Sequence, residues 1–178
     1  SDVCSSDLPQ PGVRWLLEID APDDLPELLG TYLDVARFQK AEGEAAITRS
    51  ELERLVAAAP QQVRELLETE GWFSPRVNVR LADGGARNRA GQLTVRVEVQ
   101  PGERTRVRSA RLVHEGALSL AAEGGDETAR ALVQRADTLF GASRRQPFTQ
   151  SGWSSTKASV LALLRAEGYP AAAWSGST

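Results

Sequence analysis

Few side chains in this chain are of the kinds that make or break covalent bonds. His114 is the only histidine, with no cysteine near it in sequence. A lone imidazole at a strand end, without a second imidazole or a thiolate to share a metal, reads as a surface side chain. Asp23-Asp24 has the composition of a carboxylate pair for general acid–base work. The run Asp24-Leu25-Pro26-Glu27 fits a helix start better, with Asp24 as N-cap and Glu27 three residues on. Ser154 and Ser155 with Lys157 have the residue types of a serine nucleophile and its lysine base. At helical spacing they read as a solvated face. No P-loop and no G-x-G-x-x-G occurs, so no phosphate cradle is legible. The residues thus nominate no catalytic, metal-ligating or cofactor-binding group and argue against an enzyme. What remains legible is the pattern of strands and helices.

Those strands and their helices are visible as patterns. Val13, Trp15, Leu17 and Ile19 alternate, as in a strand with one buried side. Leu25, Leu28, Leu29, Tyr32, Leu33 and Ala36 then recur at helical spacing and predict one amphipathic helix, with Pro26 tolerated in its first turn. Gly43 breaks the pattern. A second helical region opens at Thr48 with Glu51 three residues on, and carries Leu52, Leu55 and Val56. Pro60 is expected to divide it, starting a new helix with Val63, Leu66 and Leu67. Val77, Val79 and Leu81 alternate with Asn78 and Arg80, and Leu93, Val95, Val97 and Val99 alternate with Thr94, Arg96 and Glu98. The intervening ADGGARNRAGQ is glycine-rich and polar, as a hairpin connection should be. The order is β-α-α-β-β.

The pattern then begins again. Val63-Arg-Glu-Leu-Leu-Glu-Thr-Glu-Gly-Trp72 recurs as Val160-Leu-Ala-Leu-Leu-Arg-Ala-Glu-Gly-Tyr169, a shared V-x-x-L-L-x-x-E-G-aromatic 97 residues apart. An interval of that size marks duplicated domains rather than a solenoid. Gly71 and Gly168 suit the left-handed position after a helix, letting Trp72 and Tyr169 close over Leu67 and Leu164. The second copy is expected to hold a strand near Thr105–Val113, a helix from about Asp126 to Phe140 and a helix from about Thr149 to Glu167. Only nine residues follow Tyr169, so its last two strands are expected to be missing. The chain reads as α+β: a first module over 12–102 and an incomplete second over 103–178, each a three-stranded mixed sheet covered by helices in design.

Residues 1–8, SDVCSSDL, resemble the translation of a common short-read sequencing adapter, and 1–11 are set aside as an artefactual leader. Without Asp2 and Asp7 the 24 acidic residues become 22 against 21 basic ones, a net charge of −1 in place of −3. The single cysteine goes with them. On this reading the coding sequence is expected to continue on both sides. The balanced charge gives no broad electrostatic reason to bind nucleic acid.

The joint Val97-Glu98-Val99-Gln100-Pro101-Gly102-Glu103-Arg104-Thr105-Arg106-Val107, the strand ending at His114-Glu115-Gly116, and the segments LLETEGWFSPRVNVRL and PFTQSGWSSTKASVLALLRAEGYPAA resemble tandem POTRA domains. Within that family the chain is similar to the N-terminal part of TamA-like outer-membrane translocation and assembly factors, over roughly 12–174. The resemblance implies a periplasmic arm tethered to the outer membrane through a C-terminal β-barrel absent from this sequence. Its partners would be unfolded or partly folded outer-membrane proteins, autotransporters among them, and a TamB-like partner anchored in the inner membrane. It also implies that the second strand is a sheet edge, so Val77, Asn78, Val79, Arg80 and Leu81 become the candidate partner-binding strand. Arg80 and Pro75 fit equally well an edge protected against pairing.

Other readings stay open beside it. The arm could belong to a BamA-like or two-partner-secretion transporter. A KH-like nucleic-acid module shares the β-α-α-β core, but it needs a G-x-x-G loop, and Lys40–Thr48 offers only Gly43; an enzyme accessory domain is the other alternative. Arg104, Arg106, Arg108 and Arg111 form a basic cluster, but Glu98, Glu103 and Glu115 surround it, and a solvated strand face accounts for them.

Overall fold

Valine and leucine at every second position make one strand the hub of the sheet. In the computed structural model, which describes residues 12–40, 46–84 and 91–177, the first unit contains β1 (Arg14–Asp20), α1 (Leu25–Tyr32), α2 (Asp34–Lys40), α3 (Arg49–Thr69), β2 (Arg76–Asp83) and β3 (Gln92–Gln100). β3 lies between the others, parallel to β1 and antiparallel to β2, in the order β1-β3-β2. Leu93, Val95, Val97 and Val99 share one buried cluster with Trp15, Leu29, Leu33, Leu52, Val63 and Leu67. The chain is α+β with a three-stranded mixed sheet and six helices among the described residues. It divides into two compact units. The first is built from residues up to Glu68 with Trp72–Glu103, and the second from Thr69–Gly71 with Arg104 onwards.

Three local expectations are corrected. The helix over 25–36 is two helices, because Leu33 is extended at φ −64°, ψ 139°. Tertiary bonds favour the break: the Asp34 N–H donates to Gln62 Oε1 at 3.3 Å and Gln62 Nε2 returns a bond to Asp34 Oδ2 at 2.6 Å. α2 is thereby held to α3, and Val35 and Ala36 enter the core. Next, Asp24 makes no side-chain cap bond; its ψ of 3° lies outside the extended region from which a carboxylate reaches the helix N–H groups. A backbone turn starts α1 in its place, with Leu25 N–H donating to the Pro22 carbonyl at 3.3 Å. Finally, Pro60 sits inside a continuous 21-residue α3. The apolar stripe keeps its helical phase across the proline, since Leu52, Ala59, Val63 and Leu67 are all buried. Burial of several such side chains at about 1.5–3 kcal/mol each outweighs the roughly 3 kcal/mol cost of an interior proline.

Thr48 does form the expected capping box. Its N–H donates to Glu51 Oε2 at 2.7 Å, and the Glu51 N–H donates to Thr48 Oγ1 at 3.3 Å.

The second unit contains α4 (Ala117–Glu123), α5 (Glu127–Gly141) and α6 (Gln150–Ala166). Asp126 caps α5 through Ala129 N–H, and Thr149 caps α6 through Gly152 N–H. The helix α4 has no counterpart in the sequence reading, being a single short element with one buried leucine, Leu118. The strand expected over 105–113 is reduced to an isolated bridge between Arg106 and Pro147. A strand needs a neighbour, and the described residues of this unit hold none beyond the 145–148 turn.

The repeated helix stop is the same in both copies. Gly71 and Gly168 have φ of 89° and 104°. Trp72 N–H reaches the Leu67 carbonyl at 2.9 Å and Tyr169 N–H reaches that of Leu164 at 3.0 Å, closing the Schellman bond. Residues 1–11, Gly43 and the middle of the hairpin connection, 85–90, lie outside the described residues.

Candidate partner-binding edge

The candidate strand is positioned by its own alternation. In β2, Val77, Val79 and Leu81 are half-buried and pack on the first unit's core, while Asn78 and Arg80 are exposed. Glu98, on β3, organises that exposed face. It accepts from Arg80 Nη2 at 2.9 Å and from Asn78 Nδ2 at 3.2 Å, and pairs with Arg96 at 3.1 Å. Arg80 and Arg96 are direct cross-strand neighbours, so the carboxylate offsets a like-charge pair that would otherwise repel.

Backbone direction follows from one hydrogen bond. Gln39 Nε2 donates to the Trp15 carbonyl at 2.8 Å, so the polar groups of Trp15 face away from β3. Along a strand these groups alternate sides with each residue. With Leu16 in register with Thr94, Leu16 faces β3, and Thr94, Arg96 and Glu98 then face β2. The antiparallel register pairs Arg80 with Arg96 and Val79 with Val97. Arg80 and Arg96 therefore exchange ladder bonds, and Val79 with Val97 forms the alternating non-bonded pair. The N–H and C=O groups of Val77, Val79 and Leu81 consequently point out of the sheet along the free side of β2.

The two outer strands are not equivalent. At β1, Val13 N–H donates to the Ile47 carbonyl at 2.9 Å and the Trp15 carbonyl is taken by Gln39. Among the described residues no backbone group from outside the sheet bonds to β2. This closure of β1 escaped sequence reasoning, because it joins residues more than twenty positions apart.

The residues set aside as chemistry are placed elsewhere. His114 Nε2 lies 2.8 Å from Asp137 Oδ1, a pairing that sequence spacing did not suggest. Ser154 and Ser155 are exposed on α6, whereas the Lys157 ammonium lies 5.2 Å from the ring centre of Trp174. Arg104 Nε donates to the Glu70 carbonyl at 2.8 Å and Arg106 Nη1 to that of Arg145 at 3.1 Å. Two arginines of the basic cluster thus serve the second unit's own backbone. Among the described residues no group of three His, Cys, Asp or Glu could hold a metal ion, and no helix is long and apolar enough to cross a membrane.

No protein-family model matches the sequence, and no curated protein matches it significantly. Among solved structures, the crystal structure of Haemophilus influenzae BamA POTRA3-5 superposes with a TM-score of 0.32 at 16% sequence identity, covering 89% of this chain and 51% of that one. The chain thus spans about half the length of that structure.

Proposed function

We propose that the chain is a non-catalytic docking arm that takes extended protein segments by strand addition along β2, as one of the tandem POTRA modules of an outer-membrane assembly factor. The observation that carries this reading is the free side of β2, with its outward backbone groups at Val77, Val79 and Leu81. Main-chain pairing supplies affinity without demanding a particular side-chain sequence, which suits clients met unfolded. The β-α-α-α-β-β order, in which α1 and α2 stand where one helix was expected, the β1-β3-β2 sheet and the repeated V-x-x-L-L-x-x-E-G-aromatic turn are in keeping with the family resemblance of the sequence.

On that resemblance the arm lies in the periplasm and is tethered to the outer membrane by a β-barrel. Its clients are unfolded outer-membrane proteins such as autotransporters, and its standing partner is a TamB-like protein anchored in the inner membrane.

Val79→Pro tests the docking. The lost N–H faces away from β3, and proline is tolerated on an edge strand in that orientation. Binding of a urea-unfolded outer-membrane protein to the 178-residue chain should weaken by about tenfold or more, with far-ultraviolet circular dichroism and the unfolding midpoint of the first unit little changed. Unchanged binding by a folded variant would sink the proposal.

A further inference from the structure

Main-chain pairing is indifferent to sequence, so any preference among segments docking at β2 must come from the side chains beside its free backbone. On the exposed face of the sheet β2 presents Arg76, Asn78 and Arg80. Arg80 shares the Glu98 carboxylate with Arg96, at 2.9 Å and 3.1 Å, so two guanidinium charges meet one carboxylate and one positive charge is left over. Arg76 forms no ion pair among the described residues and adds a second. Glu18 and Asp20 belong to the same face but stand on β1, beyond β3. A strand added to β2 would lie about 14 Å from β1 and about 4.8 Å from the strand that bears Arg76 and Arg80. At ordinary salt the Debye length is about 8–10 Å, so the arginines set the charge that an incoming segment meets.

The direction of the β2 backbone sets where an incoming strand's side chains fall. With the N–H and C=O groups of Val77, Val79 and Leu81 turned outward, a strand added antiparallel bonds opposite those residues and leaves Asn78 and Arg80 in non-hydrogen-bonded pairs. In such pairs the facing side chains come closest, their Cβ atoms about 4.5–5.5 Å apart. The positions opposite Arg76 and Arg80 are then four residues apart on the outer face, with one residue between them facing Asn78. On the other face the residues beside Val77, Val79 and Leu81 would extend the apolar layer that those half-buried side chains already enter. All three strands that the sequence pattern assigns to the first module are in the sheet, so that pattern leaves no fourth strand to lie beside β2. A second copy is a poor occupant, because its own β2 carries the same uncompensated arginines, and like charges across strands oppose the pairing.

We infer that the β2 edge selects extended protein segments that are apolar on one side and carry carboxylates on the other, at positions i and i+4, set opposite Arg80 and Arg76. This specificity rests on strand addition at β2 and can fail while strand addition stands. It is local in origin, since it runs against the net charge of −3 carried by the chain.

The test uses the 178-residue chain and two end-blocked synthetic peptides, TVEVTVEVT and TVKVTVKVT, which differ only in the charges at their third and seventh positions. At low ionic strength the glutamate peptide should bind about tenfold more tightly than the lysine peptide by isothermal titration calorimetry, and the gap should close at about 1 M salt. Val79→Pro should weaken both. Arg76→Glu combined with Arg80→Glu should reverse the order; both positions are exposed, and a glutamate at 80 keeps a partner in Arg96, its cross-strand neighbour, so the urea midpoint should change little. Equal binding of the two peptides, lost in Val79→Pro, would overturn the charge preference and leave strand addition in place. Binding of neither peptide by the folded chain would overturn strand addition, and this inference with it. A glutamate preference that survives Val79→Pro or the double substitution would put the contact elsewhere and overturn the assignment. A chain that sediments as a dimer without peptide, with amide exchange at 76–83 already slowed, would make a second copy the occupant and overturn the choice of partner.

Discussion

The indole N–H of Trp15 donates to the main-chain carbonyl of Val35 at 3.0 Å inside the core of the first unit. Trp15, at 5% exposure, also offers its own carbonyl to Gln39, so β1 and α2 clasp each other in both directions. Trp15→Phe retains much of the apolar area and removes the donor. It should lower the stability of the first unit by about 0.5–1.5 kcal/mol, the net worth of one hydrogen bond to a carbonyl that α2 also engages, read from urea unfolding. An unchanged midpoint would mean that water replaces the indole.

Pro60 interrupts α3 chemically without interrupting it structurally. Pro60→Ala restores an N–H able to reach the Val56 carbonyl and removes the ring from the preceding turn. Stability should rise by about 1–3 kcal/mol. A loss would show that α3 is bent at this point to fit the core.

The Glu51 carboxyl is held below its ordinary value of 4.5, first by the Thr48 N–H and then by the Thr48 hydroxyl. A lowered folded value stabilises the fold above the ordinary carboxylate range, and the contribution fades as pH falls through the folded value. Glu51→Gln should therefore be less stable than the parent at neutral pH and converge on it in acid. Parallel curves from pH 7 to pH 3 would count against the capping box as the source.

Gly71 and Gly168 occupy the same place in the repeat but differ in surroundings. A Cβ at Gly71 would collide with the Phe148 carbonyl, whereas one at Gly168 meets nothing within 4 Å. Gly168→Ala should cost only the left-handed strain of about 1–2 kcal/mol. Gly71→Ala should cost clearly more, by differential scanning calorimetry of the two variants. Equal losses would show that the 148 region yields freely.

Patterns complete within a few residues were legible in sequence. The capping box of Thr48 and Glu51, the alternation of β2 and β3 and the paired glycine stops all formed as read. The same kind of pattern at Asp24 and Glu27 did not form, because Asp23 takes a φ of 58° and the turn it makes sets the direction of Asp24. The break at Leu33 depends on Gln62 and Trp15, which no window around residue 33 contains. Segment 105–113 has strand composition, yet a strand is a property of a pair. For the candidate edge, its residues were legible, but the direction of its backbone groups was not. That depends on Gln39 reaching Trp15, a contact with no trace in local spacing.

In β2 the residues whose side chains fasten the strand to the core, Val77, Val79 and Leu81, are also those whose amides face outward. An alanine scan would therefore misreport this surface. Truncating Asn78 or Arg80 removes exposed side chains and leaves every outward amide in place, while truncating Val79 registers as lost stability. Only changes to the main chain itself, such as an ester in place of an amide, would separate what the outward amides do from adhesion to the core.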